Sequence, residues 1–227
     1  GKPASLRSGN NGRLVLVFSK RGKAAYYPHL AIVEAIGRAL LVGRIHVSFS
    51  EGFNPCPKLE LTQPLSIGFT SESEIACAVL GEGKARPVPA DLSVIPSLLN
   101  DALPAGLRIE EARWSPSIAG KKPASIGSLF WGGSYSLRKA GGDNDLDLLG
   151  AVLESRLAEL GIMNAAVARQ ASALQITLPC NSGKAGGLGQ LLKAALKQER
   201  FLGLIAVHKT ATLGLGPNGP VPLQDLL

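Results

Sequence analysis

Nothing in this sequence approaches the 18 uninterrupted apolar residues of a membrane-spanning helix, so no partnership with a membrane is expected. The N-terminus also lacks the basic-then-apolar pattern of a secretion signal, and a cytoplasmic chain is the reading. The three cysteines, Cys56, Cys77 and Cys180, are widely spaced and contain no C-x-x-C pair. That excludes a disulfide framework and a self-contained zinc or iron–sulfur site, and it fits a reducing compartment. The C-x-x-x-C-x-x-C triplet of a radical-generating cluster is missing too. No metal and no cofactor are expected. No Ser-His-Asp or Cys-His-Asn arrangement suggests itself, so no catalytic residue is assigned. Charged residues are only 18% against 45% apolar, which excludes a disordered or fibrous chain.

What is present reads as an α+β protein of two tandem ferredoxin-like units, each β-α-β-β-α-β. Residues 1–12, which open without Met, have the composition of a linker or trimmed remnant of something upstream. The first unit spans 13–115. Arg13–Ser19 is a continuous apolar run, the mark of a strand buried on both faces. Pro28–Leu41 carries Leu30, Val33, Ile36 and Leu40 at helical spacing and ends at Gly43. Ile45–Ser50 alternates like a half-buried strand, and Leu59–Ser71 and Glu74–Leu80 are extended. A helix capped by Asp91 is expected to run to about Leu103 unless Pro96 breaks it, and Leu107–Trp114 closes the unit.

Pro116–Ser128 has linker composition. The second unit, 126–215, repeats the order: strand Leu129–Arg138, helix Asp145–Leu160, strands Ala165–Arg169 and Ala173–Pro179, helix Leu188–Lys197, strand Phe201–Thr210. Residues 216–227 form a tail or hairpin turning at Gly216-Pro217-Asn218-Gly219.

The charge is uneven. Residues 1–60 hold nine Lys/Arg against three acids, and the remaining 167 residues add almost nothing to the total of +7. Such a region invites polyanions such as RNA, or merely aids solubility. Strands joined by a helical crossover run parallel, so the loops leaving the first two strands are expected at one end of the sheet. They carry Lys20, Arg21, Lys23, Tyr26, Tyr27, His29, Phe53, Asn54, Cys56 and Lys58. The candidate ligand- or RNA-binding set is Lys20, Arg21, Lys23, Tyr27, His29, Phe53, Asn54, Cys56 and Lys58. His29, Asn54 and Cys56 are expected to line a shared pocket, with Lys58 and Tyr27 at its rim.

Each has a plainer reading. His29 starts a helix and serves either as a ligand or as packing. Cys56, held between Pro55 and Pro57, is a reactive thiol only if its pKa is lowered. One of the two tyrosines is expected in the core. His46 and His208 read as structural. The run Asp143-Asn144-Asp145-x-Asp147 lacks the later residues of a calcium loop and reads as helix capping. Gly183-x-x-Gly186-Gly187-x-Gly189 opens a helix but lacks the Lys-Ser/Thr of a P-loop.

From Arg13 to Gly68 the chain resembles a radical-SAM-linked bacterial family of unknown function. The matches are Phe18-Ser19-Lys20, His29-Leu30, Ser50-Glu51-Gly52-Phe53-Asn54-Pro55 and Pro57-Lys58, with a weaker likeness over Leu99–Ala112. Family members usually show histidine where Cys56 stands and aspartate where Ala31 stands. The resemblance implies a radical SAM partner, upstream or fused, and an accessory role with RNA, tRNA included. The alternatives are an RNA-processing enzyme of tandem ferredoxin-like type using His29, by fold analogy alone, and a protein-interaction module.

Overall fold

The computed structural model describes residues 12–80, 89, 91–116, 124–139, 144–170, 172–180, 188–198 and 205–227. The chain is a mixed α+β protein that divides into two compact units. One comprises Gly1–Ile67 and Glu74–Ser128, the other Gly68–Ser73 and Leu129–Leu226.

In the first unit, strand β1 (Gly12–Lys20) is buried along its whole length, as its unbroken apolar run requires. It pairs antiparallel with β4 (Leu107–Pro116), and the strand order is β4-β1-β3, with β3 spanning Thr70–Val79 and β2 (Leu59–Leu61) on its other side. Helix α1 (His29–Val42) buries Ile32, Ile36 and Leu40 on Leu14, Leu16 and Phe18 of β1. Pro28 is its N-cap, and the left-handed residue at its far end is Arg44, not Gly43.

Helix α2 (Val94–Asn100) is shorter than its sequence pattern. Asp91 spends its carboxylate on the Ser93 N–H, one turn early. Pro96 falls in the first turn, where no intrahelical N–H bond is lost, so it does not break the helix. At the far end, the Asn100 amide bonds both backbone groups of Ile109.

Ile45 and Val47 are buried, but Phe49 is exposed, so the expected alternation holds only over the first residues and fails at Phe49. This segment joins the sheet only by single bridges, Val47 with Leu80 and Phe49 with Pro57. After Pro116, residues 117–123 lie outside the described set. The remainder of the expected linker is not bare: Ala124 accepts a bond from Arg13, and α3 (Ile126–Leu129) buries Ile126 completely.

In the second unit the order is β8-β5-β7-β6, all antiparallel: β5 (Phe130–Lys139), β6 (Ala166–Gln170), β7 (Ala173–Pro179) and β8 (Ile205–Gly216). Helices α4 (Asn144–Glu159) and α5 (Leu188–Gln198) supply Leu146, Leu149, Leu153, Leu157, Leu188, Leu191 and Leu192 to its core. Strand β8 runs on beyond Thr210 into a hairpin with β9 (Gly219–Pro222), so the C-terminal segment completes this unit. Thr70 and Ser71, at the start of β3, pair in parallel with His208 and Lys209 of β8. The acidic run's Asp143 and the glycines Gly183, Gly186 and Gly187 lie outside the described residues.

Candidate nucleic-acid interface

Lys20 ends β1 on the face that carries Leu14, Leu16 and Phe18, and only 1% of it is exposed. It does not meet solvent, so it contacts no phosphate in this state. Burial pulls its pKa below the usual lysine value, and the charge of Glu74 offsets part of that. Glu74 is itself buried and accepts a hydrogen bond from the Thr62 hydroxyl at 3.2 Å.

Past Lys20 the chain makes a 3₁₀ turn, Gly22–Tyr26. Its anchors are Ala24 and Ala25, both buried, and the Arg21 N–H donating to the Gly106 carbonyl at 2.8 Å. Gly106 has φ +92, and a Cβ there would stand 2.2 Å from the Arg21 carbonyl oxygen. Only glycine permits this approach. With the alanines turned in, Arg21, Lys23 and Tyr26 face outward, Tyr26 being 68% exposed. Tyr27 is the tyrosine that packs on the core, so of the expected pair the stackable ring is Tyr26. His29 is half-buried at the first position of α1.

The segment Glu51–Lys58 is a closed loop of different character. The Ser50 N–H donates to the Cys56 carbonyl at 2.8 Å, and the Cys56 N–H donates to the Ser50 hydroxyl at 3.0 Å. Gly52 has φ +133. Phe53 is fully exposed, and Asn54, Cys56 and Lys58 are exposed as well. The Cys56 thiol lies 3.6 Å from the Asn54 carbonyl.

These two loops do not share an end of the sheet. Glu74 acts electrostatically on Lys20, where β1 finishes, and Arg13, where β1 begins, acts on the Cys77 thiol. Strands β1 and β3 therefore run in opposite directions. Ser48 and Lys58 both bond to Val79, beyond Cys77 on β3, so the loop hangs where β1 starts. Its Pro57 sits over Gly37 of α1, roughly 12 Å along the helix from His29. The expected shared pocket of His29, Asn54 and Cys56 is absent. Strand β2 does run parallel to β1, both being antiparallel to β3, but the loop interrupts the second strand near its start instead of leaving its end; residues 62–67 leave at the Lys20 end.

Sequence reasoning missed a bonded histidine. His208 Nδ1 lies 2.8 Å from the Thr70 hydroxyl and Nε2 lies 3.2 Å from Glu72. Thr70 and Glu72 do alternate on one strand face, but no local signal names β8 as that strand's neighbour. Burial raises the Cys77 thiol to about 12, with Arg13 lowering it and Glu60 raising it further; burial likewise raises Cys180. No disulfide joins Cys56, Cys77 or Cys180, and among the described residues no group of three or more His, Cys, Asp or Glu side chains could hold a metal ion. No described helix is long and apolar enough to cross a membrane. Elsewhere, a groove of about 280 Å³ runs along α1, lined by Ala31, Glu34, Ala35, Arg38, Ala102, Leu103 and Pro104.

The class so defined is an α+β protein with a cationic, tyrosine-bearing turn beyond its first strand. Residues 13–158 match the family described as "Uncharacterized protein conserved in bacteria (DUF2344)", and the chain belongs to that family. A search of curated proteins returns no match. Among solved structures it is similar to an unknown protein from Galdieria sulphuraria, at 17% identity over 88% of this chain and 98% of that one, with a TM-score of 0.25. It is also similar to a "putative glycine cleavage system transcriptional repressor", at 9% identity over 88% and 99%, with a TM-score of 0.25. Likenesses at that TM-score carry no functional argument.

Proposed function

We propose that this chain is a non-catalytic, cytoplasmic RNA-binding accessory domain, with tRNA among its ligands, serving a radical SAM modification enzyme. The observation that carries the RNA reading is the exposed trio Arg21, Lys23 and Tyr26 on a turn anchored by Ala24, Ala25 and Gly106. Cations on a rigid backbone neutralise phosphates at low entropic cost, and a free tyrosine ring offers a base a stacking surface. The radical SAM link rests on the sequence resemblance from Arg13 to Gly68. The strand orders β4-β1-β3-β2 and β8-β5-β7-β6 support two ferredoxin-like units. Among the described residues no ionisable side chain hydrogen-bonds His29, so nothing in the site favours the RNA-processing alternative. Phe53, held outward on a closed loop, favours a protein-interaction role as the second reading.

Fluorescence anisotropy with labelled tRNA tests the RNA reading. Affinity is expected to fall log-linearly with salt, with a slope of about −2 to −3 from two or three phosphate contacts. The Arg21→Glu/Lys23→Glu double variant should weaken binding by about tenfold or more and flatten that slope. Arg138→Glu/Lys193→Glu makes the same charge change on exposed residues of the second unit and should cost far less. Equal losses, or no binding at low salt, overturn the reading.

A further inference from the structure

We propose that the outer face of α1 is a two-fold interface that takes a second copy of this chain. Ile32, Ile36, Ala39 and Leu40 bury the inner face of the helix. At 100° per residue the outer arc carries Leu30, Ala31, Glu34, Arg38, Leu41 and Val42, with Ala35 at its edge against the core. Leu30 is 73% exposed, Leu41 48% and Val42 63%. On α2, Val94 and Leu98 are also exposed, and Leu98 reaches the Gly43 end of α1. Three large apolar side chains on one helix, continued by two on its neighbour, make a patch rather than scattered residues.

The order of that face identifies the occupant. About a point near Ile36, Leu30 has its counterpart in Val42, Ala31 in Leu41, and Glu34 in Arg38. The face therefore reads apolar, acid, base, apolar. Laid antiparallel on a second copy, it meets apolar with apolar and acid with base. A two-fold axis makes every such contact twice, which is the self-complementarity an isologous interface requires. Glu34 and Arg38 lie one turn apart and are exposed, yet no ion pair joins them or ties either to another described residue. Both charges are free to pair across the axis. The groove beside them, lined by Ala31 and Ala35 and walled by Ala102–Pro104, gives room for the second copy's Leu41, which the register sets opposite Ala31. An RNA backbone fits this face poorly, because it would desolvate Glu34 and the apolar residues against phosphates. Helix α1 is about 21 Å long, and the exposed Val94 and Leu98 of α2 widen the face beside it.

Sedimentation velocity of the full chain, from about 1 to about 200 μM, reads the dissociation constant. A concentration-dependent dimer is expected. Glu34→Arg or Arg38→Glu alone sets like charges face to face and should raise the dissociation constant at least about tenfold. Glu34→Arg/Arg38→Glu together restores complementarity with the charges exchanged and should return it to within about threefold of the parent. Both side chains are exposed, and circular dichroism confirms that each variant is folded. A parent that stays monomeric overturns the proposal. So do single variants that dimerise like the parent, or a double variant that stays as weak as the singles.

Discussion

At Lys20 burial disfavours the charged ammonium, and the charge of Glu74 offsets only part of the effect. The unfolded lysine holds its proton more readily, up to the usual 10.5, than the folded one does. Folding therefore carries a penalty that is full at neutral pH, falls as pH rises through the lowered value, and is gone above 10.5. Replacing both partners, as Lys20→Met/Glu74→Gln, removes the buried ammonium without stranding the Glu74 carboxylate, and is accordingly expected to melt no lower than the parent at pH 7, with a gain of up to about 2 kcal/mol that shrinks toward pH 10. Thermal melts at both pH values check this, and a clear drop at pH 7 would mean that Lys20 holds the strand end together. A second test concerns the thiols. Cys77 is buried, and its pKa is pushed up to about 12, so very little of it is thiolate at pH 8. Iodoacetamide applied to the native chain should label the exposed Cys56 first and leave Cys77 untouched until denaturant is added; mass mapping of the labelled peptides reads the order.

Among the elements, those with a strong period were readable in advance. The unbroken apolar run of β1 and the stripes of α1 and α4 needed only burial of the residues that repeat. The second strand was not readable. Ile45–Ser50 has the alternation of a strand, but strand membership depends on a partner and a register, and Ser48 shares its bonds between Val79 and Lys58. The loop expected to leave a strand interrupts one, and the candidate site divides with it. Cations and tyrosines could be listed from the sequence, whereas burial of Lys20 and Tyr27 depended on which side of β1 and of the turn each side chain took. Two glycines test the local geometry. A Cβ on Gly37, inside α1, would make an ordinary 3.5 Å contact with Pro57, so Gly37→Ala should stabilise by about 0.5–1 kcal/mol. Gly106→Ala places its Cβ against the Arg21 carbonyl at a φ that alanine avoids and should cost about 1–3 kcal/mol. Differential scanning fluorimetry ranks the two, and a tolerated Gly106→Ala would show that the turn after β1 is not held by this approach.

For the whole molecule, the family match covers the described part of the first unit and reaches into α4, so the Arg21–Tyr26 turn and the Ser50–Lys58 loop both lie within the matched residues. The order of most strands and helices could be read from periodicity. The division of the chain could not, because β3 gives its first residues to the second unit. Thr70 and Ser71 pair with β8, the Thr70 hydroxyl meets His208, and the Ser73 hydroxyl accepts the Thr212 N–H at 3.1 Å. The second unit is therefore not a cassette. A recombination event that moved only the codons after residue 128 would carry off an incomplete body, short of six residues encoded some sixty codons upstream. A truncation chosen by element order alone inherits the same deficit.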